Sequence, residues 1–122
     1  MTTNPISWLK KPQSHDYPAA ASYLTLFYDE RTVAKLVKRL KKAAMTTFKS
    51  KDIFRASRLS LLGVSNSHII KDTKQINAKL ALSPLLLVRD PKRATLIIAD
   101  GYHRLCAVYL IDEDAVIPCK IV

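Results

Sequence analysis

The sequence predicts an α+β protein in which a small mixed β-sheet carries packed helices and the N-terminal half is helical. Residues 85–89 and 94–99 are short apolar runs on either side of a proline-containing turn, which is typical of an antiparallel hairpin. A third extended run covers 116–121, and Pro118 within it predicts an edge strand or a bulge. Apolar residues recur at helical spacing over 30–44, which predicts a helix in the N-terminal half.

Composition indicates one globular domain over residues 1–122, with an arm and helices in 1–50 and a core in 51–122. Hydrophobic residues make up 48% of the chain and charged residues 25%. The sequence contains neither a secretory-signal pattern nor an apolar run of the roughly 18 residues that a membrane span needs. Cys106 and Cys119 are too few for a disulfide framework, so we expect buried thiols, a cytoplasmic location and no membrane partner.

The first segment, residues 1–18, predicts an extended arm because three prolines interrupt it. Trp8 is its large apolar residue, and we expect it to pack on the domain. The sequence Asp16-Tyr17-Pro18 is typical of a helix start, and the almost wholly apolar residues 19–28 predict a helix that is buried over much of its circumference.

A second helix is predicted from about Asp29 to Ala44, and it has a basic face opposite its apolar one. Residues 31–58 hold ten of the chain's 20 Lys and Arg residues, within a net charge of +10. This charge favours an anionic partner such as DNA or RNA, whereas the alternative is an ordinary solvated helix face. The candidate phosphate contacts on this face are Lys35, Lys38, Arg39 and Lys42.

Farther along, Lys51–Ser57 predicts the first strand, and residues 45–50 predict a connector before it. The stretch 64–67 offers several N-cap residues for a helix that continues to about residue 80. Its predicted buried face consists of Ile69, Thr73, Ile76 and Leu80.

The most informative stretch is 97–108, which predicts a strand, a tight turn and a helix that ends near residue 111. Gly101 permits a positive φ, and the first N–H groups of a helix attract anions. His103 and Arg104 would add a titratable group and a bidentate phosphate binder. The alternative is an ordinary strand-to-helix junction in which Arg104 pairs with Asp100 and His103 caps the helix.

The sequence Asp-Gly-Tyr-His-Arg at 100–104, followed by Leu-Cys-Ala-Val-Tyr and by an extended run at 117–122, resembles the ParB/sulfiredoxin superfamily. The resemblance covers about residues 50–122. It implies the fold of that superfamily and a bound nucleotide (ATP, ADP or CTP) with Mg²⁺. By the same resemblance, Asp100 and His103 are candidate catalytic residues, and Asp100 is a candidate Mg²⁺ ligand. The residues that would hold the nucleotide phosphates are Gly101, Tyr102, His103 and Arg104.

The resemblance does not extend to sulfiredoxin activity, because Tyr102 stands where that chemistry needs a cysteine. A branch of small-molecule kinases carries a similar Asp-Gly-His-His-Arg, which leaves nucleoside-triphosphatase or phosphotransfer activity open. Two other hypotheses remain: a non-catalytic nucleic-acid-binding protein that uses the basic helix at 31–44, and a structural or interaction module of the same fold. The oligomeric state stays open, with a homodimer among the alternatives.

Overall fold

The structure, a computed structural model, describes residues 6–61 and 67–122. The predicted N-cap residues 64–66 and the first five residues of the arm lie outside this part of the chain. The elements follow in the order α1 (Asp16–Leu24), α2 (Glu30–Lys42), β1 (Thr46–Lys49), α3 (Ser50–Ser57), α4 (Ser67–Asn77), β2 (Leu85–Asp90), β3 (Thr95–Asp100), α5 (Tyr102–Ile111) and β4 (Val116–Ile121).

The strands form one mixed sheet in the order β1-β4-β2-β3. Strands β2 and β3 form the predicted antiparallel hairpin, in which Leu87 lies opposite Ile98. Strand β4 runs parallel to β2 and antiparallel to β1. The prediction of an α+β fold with a small mixed sheet is therefore confirmed, as are the hairpin, the last strand and helix α5.

Helices cover both faces of this sheet. On one face α3, α4 and α5 pack against alternate residues of the hairpin, such as Leu85 and Leu87. On the other face α1 and α2 pack against Leu86 and Val88. Burial on both faces explains why β2 is apolar at consecutive positions rather than at alternate ones. None of the described helices is long and apolar enough to cross a membrane.

The prediction of a strand at Lys51–Ser57 is wrong, since these residues belong to α3. The strand lies just before it, in the segment predicted as a connector. Ser50 starts the helix: its N–H donates to the carbonyl of Ala115 at 2.8 Å and its hydroxyl donates to that of Glu113 at 2.6 Å. Ile53 then faces the core at 2% exposure. Long-range contacts thus override the β-propensity of the Ile-Phe pair.

Two further predictions are wrong: that Pro118 marks an edge strand or a bulge, and that Leu80 belongs to the buried face of α4. Pro118 lies in β4, an interior strand, opposite Thr47 of β1. Pairing of β4 with β2 begins only at Cys119, so the proline precedes that ladder and its missing N–H does not interrupt it. Leu80 lies beyond the end of α4 and is 55% exposed, whereas Ile76 is buried as predicted.

The arm packs along the loop that precedes β2. The N–H of Leu9 donates to the carbonyl of Leu82, and the N–H of Leu82 donates to that of Ser7, each at 2.8 Å. Between these bonds Trp8 is half-buried and packs against the core that contains Leu82. The predicted packing of Trp8 on the domain is therefore confirmed. The arm is held against the loop that contains Leu82.

We expect Ile53→Ala to lower the free energy of unfolding by about 2–4 kcal/mol, because it removes a buried side chain between α3 and the sheet. The control Arg55→Ala lies on the exposed side of the same helix and should change it by no more than about 0.5 kcal/mol. Urea unfolding followed by circular dichroism measures both. Equal effects of the two substitutions would contradict the orientation of α3.

Candidate functional site

The turn between β3 and α5 requires a glycine. Gly101 has φ of 108°, in the left-handed region, and it caps the N-terminus of α5. A Cβ at this position would lie 2.7 Å from Cγ of Leu85 and 2.9 Å from Nη2 of Arg104. The strand, turn and helix predicted from the sequence are therefore present. The side chains of Leu85 and Arg104 fill the space that a side chain at position 101 would need.

Arg104 turns back from the first turn of α5 toward the end of β3. Its Nη2 lies 2.9 Å from Oδ2 of Asp100, and the two side chains are 19% and 16% exposed. The Nε of Arg104 is buried and has no hydrogen-bond partner among the described residues. The ion pair that the sequence left as an alternative is thus formed, but it leaves one buried donor of the guanidinium unpaired.

Asp16, which the sequence analysis did not single out as a site residue, is buried beside this ion pair at 3% exposure. Its Oδ2 accepts from the N–H of Gln13 at 2.9 Å and from the hydroxyl of Ser83. Nε2 of His15 lies 3.4 Å from its Oδ1. Asp16 therefore connects the arm to the loop before β2, and its carboxylate also faces Asp100.

Burial raises the pKa of Asp100 above its ordinary value, and the nearby carboxylate of Asp16 raises it further. The charge of Arg104 and its hydrogen bond lower the pKa of Asp100, but they do not cancel the effect of burial. With Asp100 ionised, the two carboxylates beside one guanidinium leave a net negative charge, whereas protonation of Asp100 makes the cluster neutral. The net charge of this cluster therefore depends on pH.

A cavity of about 840 Å³ adjoins Arg104. Its lining includes Gln13 and His15 of the arm and Lys71 and Lys74 of α4. The volume lies within the range of roughly 300–1,000 Å³ that is typical of small-molecule sites. Among the described residues, the lining combines several cationic groups with the carboxylate of Asp72.

The structure brings only part of the predicted site to this cavity. Arg104 lies in its wall, whereas Asp100, Gly101, Tyr102 and His103 are not among the described residues that line it. The ring centroids of Tyr102 and His103 are 5.6 Å apart.

Tyr102 instead contacts the segment that follows α3. Its hydroxyl donates to the carbonyl of Ser60. Burial, together with the neighbouring Cys106, raises the pKa of Tyr102 to about 12. Tyr102 is therefore neutral at physiological pH and acts as a hydrogen-bond donor.

The sequence analysis missed Lys71 and Lys74 on α4 because it considered only the apolar face of that helix. The two lysines and three other residues of the lining recur at helical spacing and so lie on one side of the helix; the other three are Ser67, Gln75 and Ala78. This second stripe along the helix was visible in the sequence. Asp16 carried no comparable signal, since the hydroxyl that it binds belongs to Ser83, 67 residues along the chain.

The predicted basic face of the second helix lies elsewhere. Lys35, Lys38, Arg39 and Lys42 are all exposed on α2. That helix packs on the sheet face opposite to the one that α4 and α5 cover. The cavity and the basic face are therefore separate surfaces.

No protein-family model, no curated protein and no solved structure matches the chain. The resemblance to the ParB/sulfiredoxin superfamily therefore stays a prediction from the motif at 100–104. A function has to be argued from the cavity and its charges.

The raised pKa of Asp100 predicts how stability varies with pH. A carboxylate with a raised folded-state pKa opposes folding once it ionises, so stability is fully present below the ordinary pKa of 3.8 and falls as pH rises through the folded-state value. The lowered pKa values of Asp29, Asp90 and Asp114 have the opposite effect.

We expect Asp100→Asn to remove the fall in stability above pH 3.8. Urea unfolding of wild type and variant from about pH 4 to 7 measures this difference. Identical pH profiles for the two proteins would contradict the assignment to Asp100.

Proposed function

We propose that the protein binds a nucleotide in the cavity between the arm and α4, with its phosphates against Arg104. The observation that carries this proposal is the buried Nε of Arg104, which has no hydrogen-bond partner among the described residues. Leaving a buried donor unpaired costs about 1–3 kcal/mol. Because this nitrogen has almost no exposed surface, a phosphate oxygen would satisfy it only once the guanidinium turns toward the cavity, with Nη2 keeping its bond to Asp100.

The lining supports a ligand that is both anionic and partly apolar. Lys71 and Lys74 add positive charge to the lining that contains Arg104. Ile70 and Leu80 belong to the same lining, are 40% and 55% exposed, and offer apolar surface to a base or sugar. A phosphate at one end and an apolar group at the other are the two chemical parts of a nucleotide.

The surroundings of Asp100 do not fit a resident Mg²⁺ ion. Its Oδ2 already accepts from Arg104, and its side chain is only 16% exposed. Among the described residues, no group of three His, Cys, Asp or Glu side chains could hold a metal. We therefore expect Mg²⁺ to contribute through the phosphates of the nucleotide, which supply the oxygen ligands that this ion prefers.

We expect Arg104→Lys to weaken nucleotide binding by about ten- to a hundredfold, because a lysine keeps the charge but loses the planar guanidinium and its Nε donor. The matched control is Arg55→Lys, since Arg55 also pairs with an aspartate a few residues before it in the chain but lies outside the cavity. Thermal shift with ATP, ADP, CTP and GTP, with and without Mg²⁺, identifies the ligand, and calorimetry measures its affinity.

Two outcomes would contradict the proposal. If none of the four nucleotides raises the unfolding temperature of wild type, the third hypothesis, a structural or interaction module, is favoured. If Arg104→Lys binds as tightly as wild type, the phosphates do not lie against the guanidinium.

Catalytic roles for Asp100 and His103 stay predictions from the resemblance, and phosphate release in the presence of Mg²⁺ tests them. If the two residues are catalytic, Asp100→Asn should abolish turnover while largely preserving Mg²⁺-free binding, and His103→Ala should weaken binding more. The control is Asp112→Asn at the other end of α5. A wild type that binds nucleotide without releasing phosphate would indicate a binding protein.

A further inference from the structure

Helix α2 presents a continuous row of cations to solvent, which we call the α2 basic face. Its spacing of i, i+4, i+7, i+8 and i+11 places all members on one side of the helix. All of them are exposed, whereas Val33 and Leu40 on the other side are buried against the sheet. The α2 basic face consists of Arg31, Lys35, Lys38, Arg39 and Lys42.

The charges of the α2 basic face are not paired with carboxylates in the part of the chain that the structure describes. The acids nearest in sequence, Asp29 and Glu30, lie at the N-terminal end of the helix. Like charges one turn apart destabilise a helix by about 0.2–0.5 kcal/mol per pair. An anionic partner would offset that repulsion.

Two further lysines add positive charge at the C-terminal end of the same helix. Lys120 of β4 is only 8% exposed, and its Nζ donates to the carbonyl of Lys41 at 2.9 Å. The Nζ atoms of Lys41 and Lys120 lie 5.6 and 5.9 Å from the ring centroid of Tyr17. The carbonyl and the ring stabilise the buried ammonium without neutralising it, so its charge adds to the field around the α2 basic face.

We propose that the α2 basic face binds the phosphate backbone of a double-stranded nucleic acid. The row spans about 17 Å at 1.5 Å per residue. One strand of a duplex carries a phosphate about every 3.4 Å along the axis, so roughly five phosphates match this length. Contacts of this kind do not depend on base sequence.

The same helix argues against two other anionic partners. Insertion into a lipid surface needs an exposed apolar face, and the apolar residues of α2 pack against the sheet instead. Single strands are held largely by stacking of bases on aromatic side chains, and Glu30–Lys42 contains none. The proposal is independent of the nucleotide cavity, which adjoins elements on the other face of the sheet.

Fluorescence anisotropy with a labelled duplex of about 20 base pairs tests the proposal, with the single strand as comparison. The logarithm of the association constant should fall linearly with that of the salt concentration, with a slope of about −3 to −5. Lys38→Glu with Lys42→Glu should reduce the slope by about 2. Lys79→Glu with Lys92→Glu, a matched control on exposed loop residues, should leave the slope unchanged.

Each contrary result would overturn the proposal, provided that circular dichroism shows both double variants to be folded. The first is no duplex binding even at about 25 mM salt. The second is an equal loss of affinity in the control pair. The third is tighter binding of the single strand, and the fourth is binding to phosphatidylserine vesicles without binding to the duplex.

Discussion

The buried carboxylate of Asp16 joins parts of the chain that are far apart in sequence. It accepts hydrogen bonds from Gln13 in the arm and from Ser83 before β2, and it faces Asp100 at the end of β3. Removing a carboxylate from water costs several kcal/mol unless its oxygens find donors. The arm therefore has to lie where it does for α1 to bury this residue, and one wall of the cavity depends on that placement.

Gly101 imposes a second constraint on the same region. Its left-handed backbone sets the direction in which α5 leaves β3, and Leu85 and Arg104 occupy the space that a side chain would need. Arg104 is consequently held between Asp100 and the cavity wall. Because the guanidinium is mostly buried, salt should screen its interaction with a ligand much less than it screens the exposed lysines of α2.

The sequence predicted those elements whose signals are local. Apolar periodicity predicted α2, and the stretch 97–108 predicted the turn and the helix that carry Arg104. Helix α3 was mispredicted because its start depends on bonds from Ser50 to carbonyls more than 60 residues away. Asp16 was missed as a site residue for the same reason, since its hydroxyl partner Ser83 lies 67 residues along the chain.

The distribution of carboxylates explains why the two proposed surfaces are cationic. Among the described residues, most carboxylates that form ion pairs do so with a partner three or four residues along the chain, as Asp52 does with Arg55, Asp90 with Arg93 and Asp100 with Arg104. Carboxylates used in this way are not available to α2 or to the lysines of α4. The net charge of +10 is therefore not spread evenly but accumulates on helices whose apolar sides are already buried. Since burial fixes the orientation of these helices, their cations have to face outward, and any partner they attract has to approach from solvent.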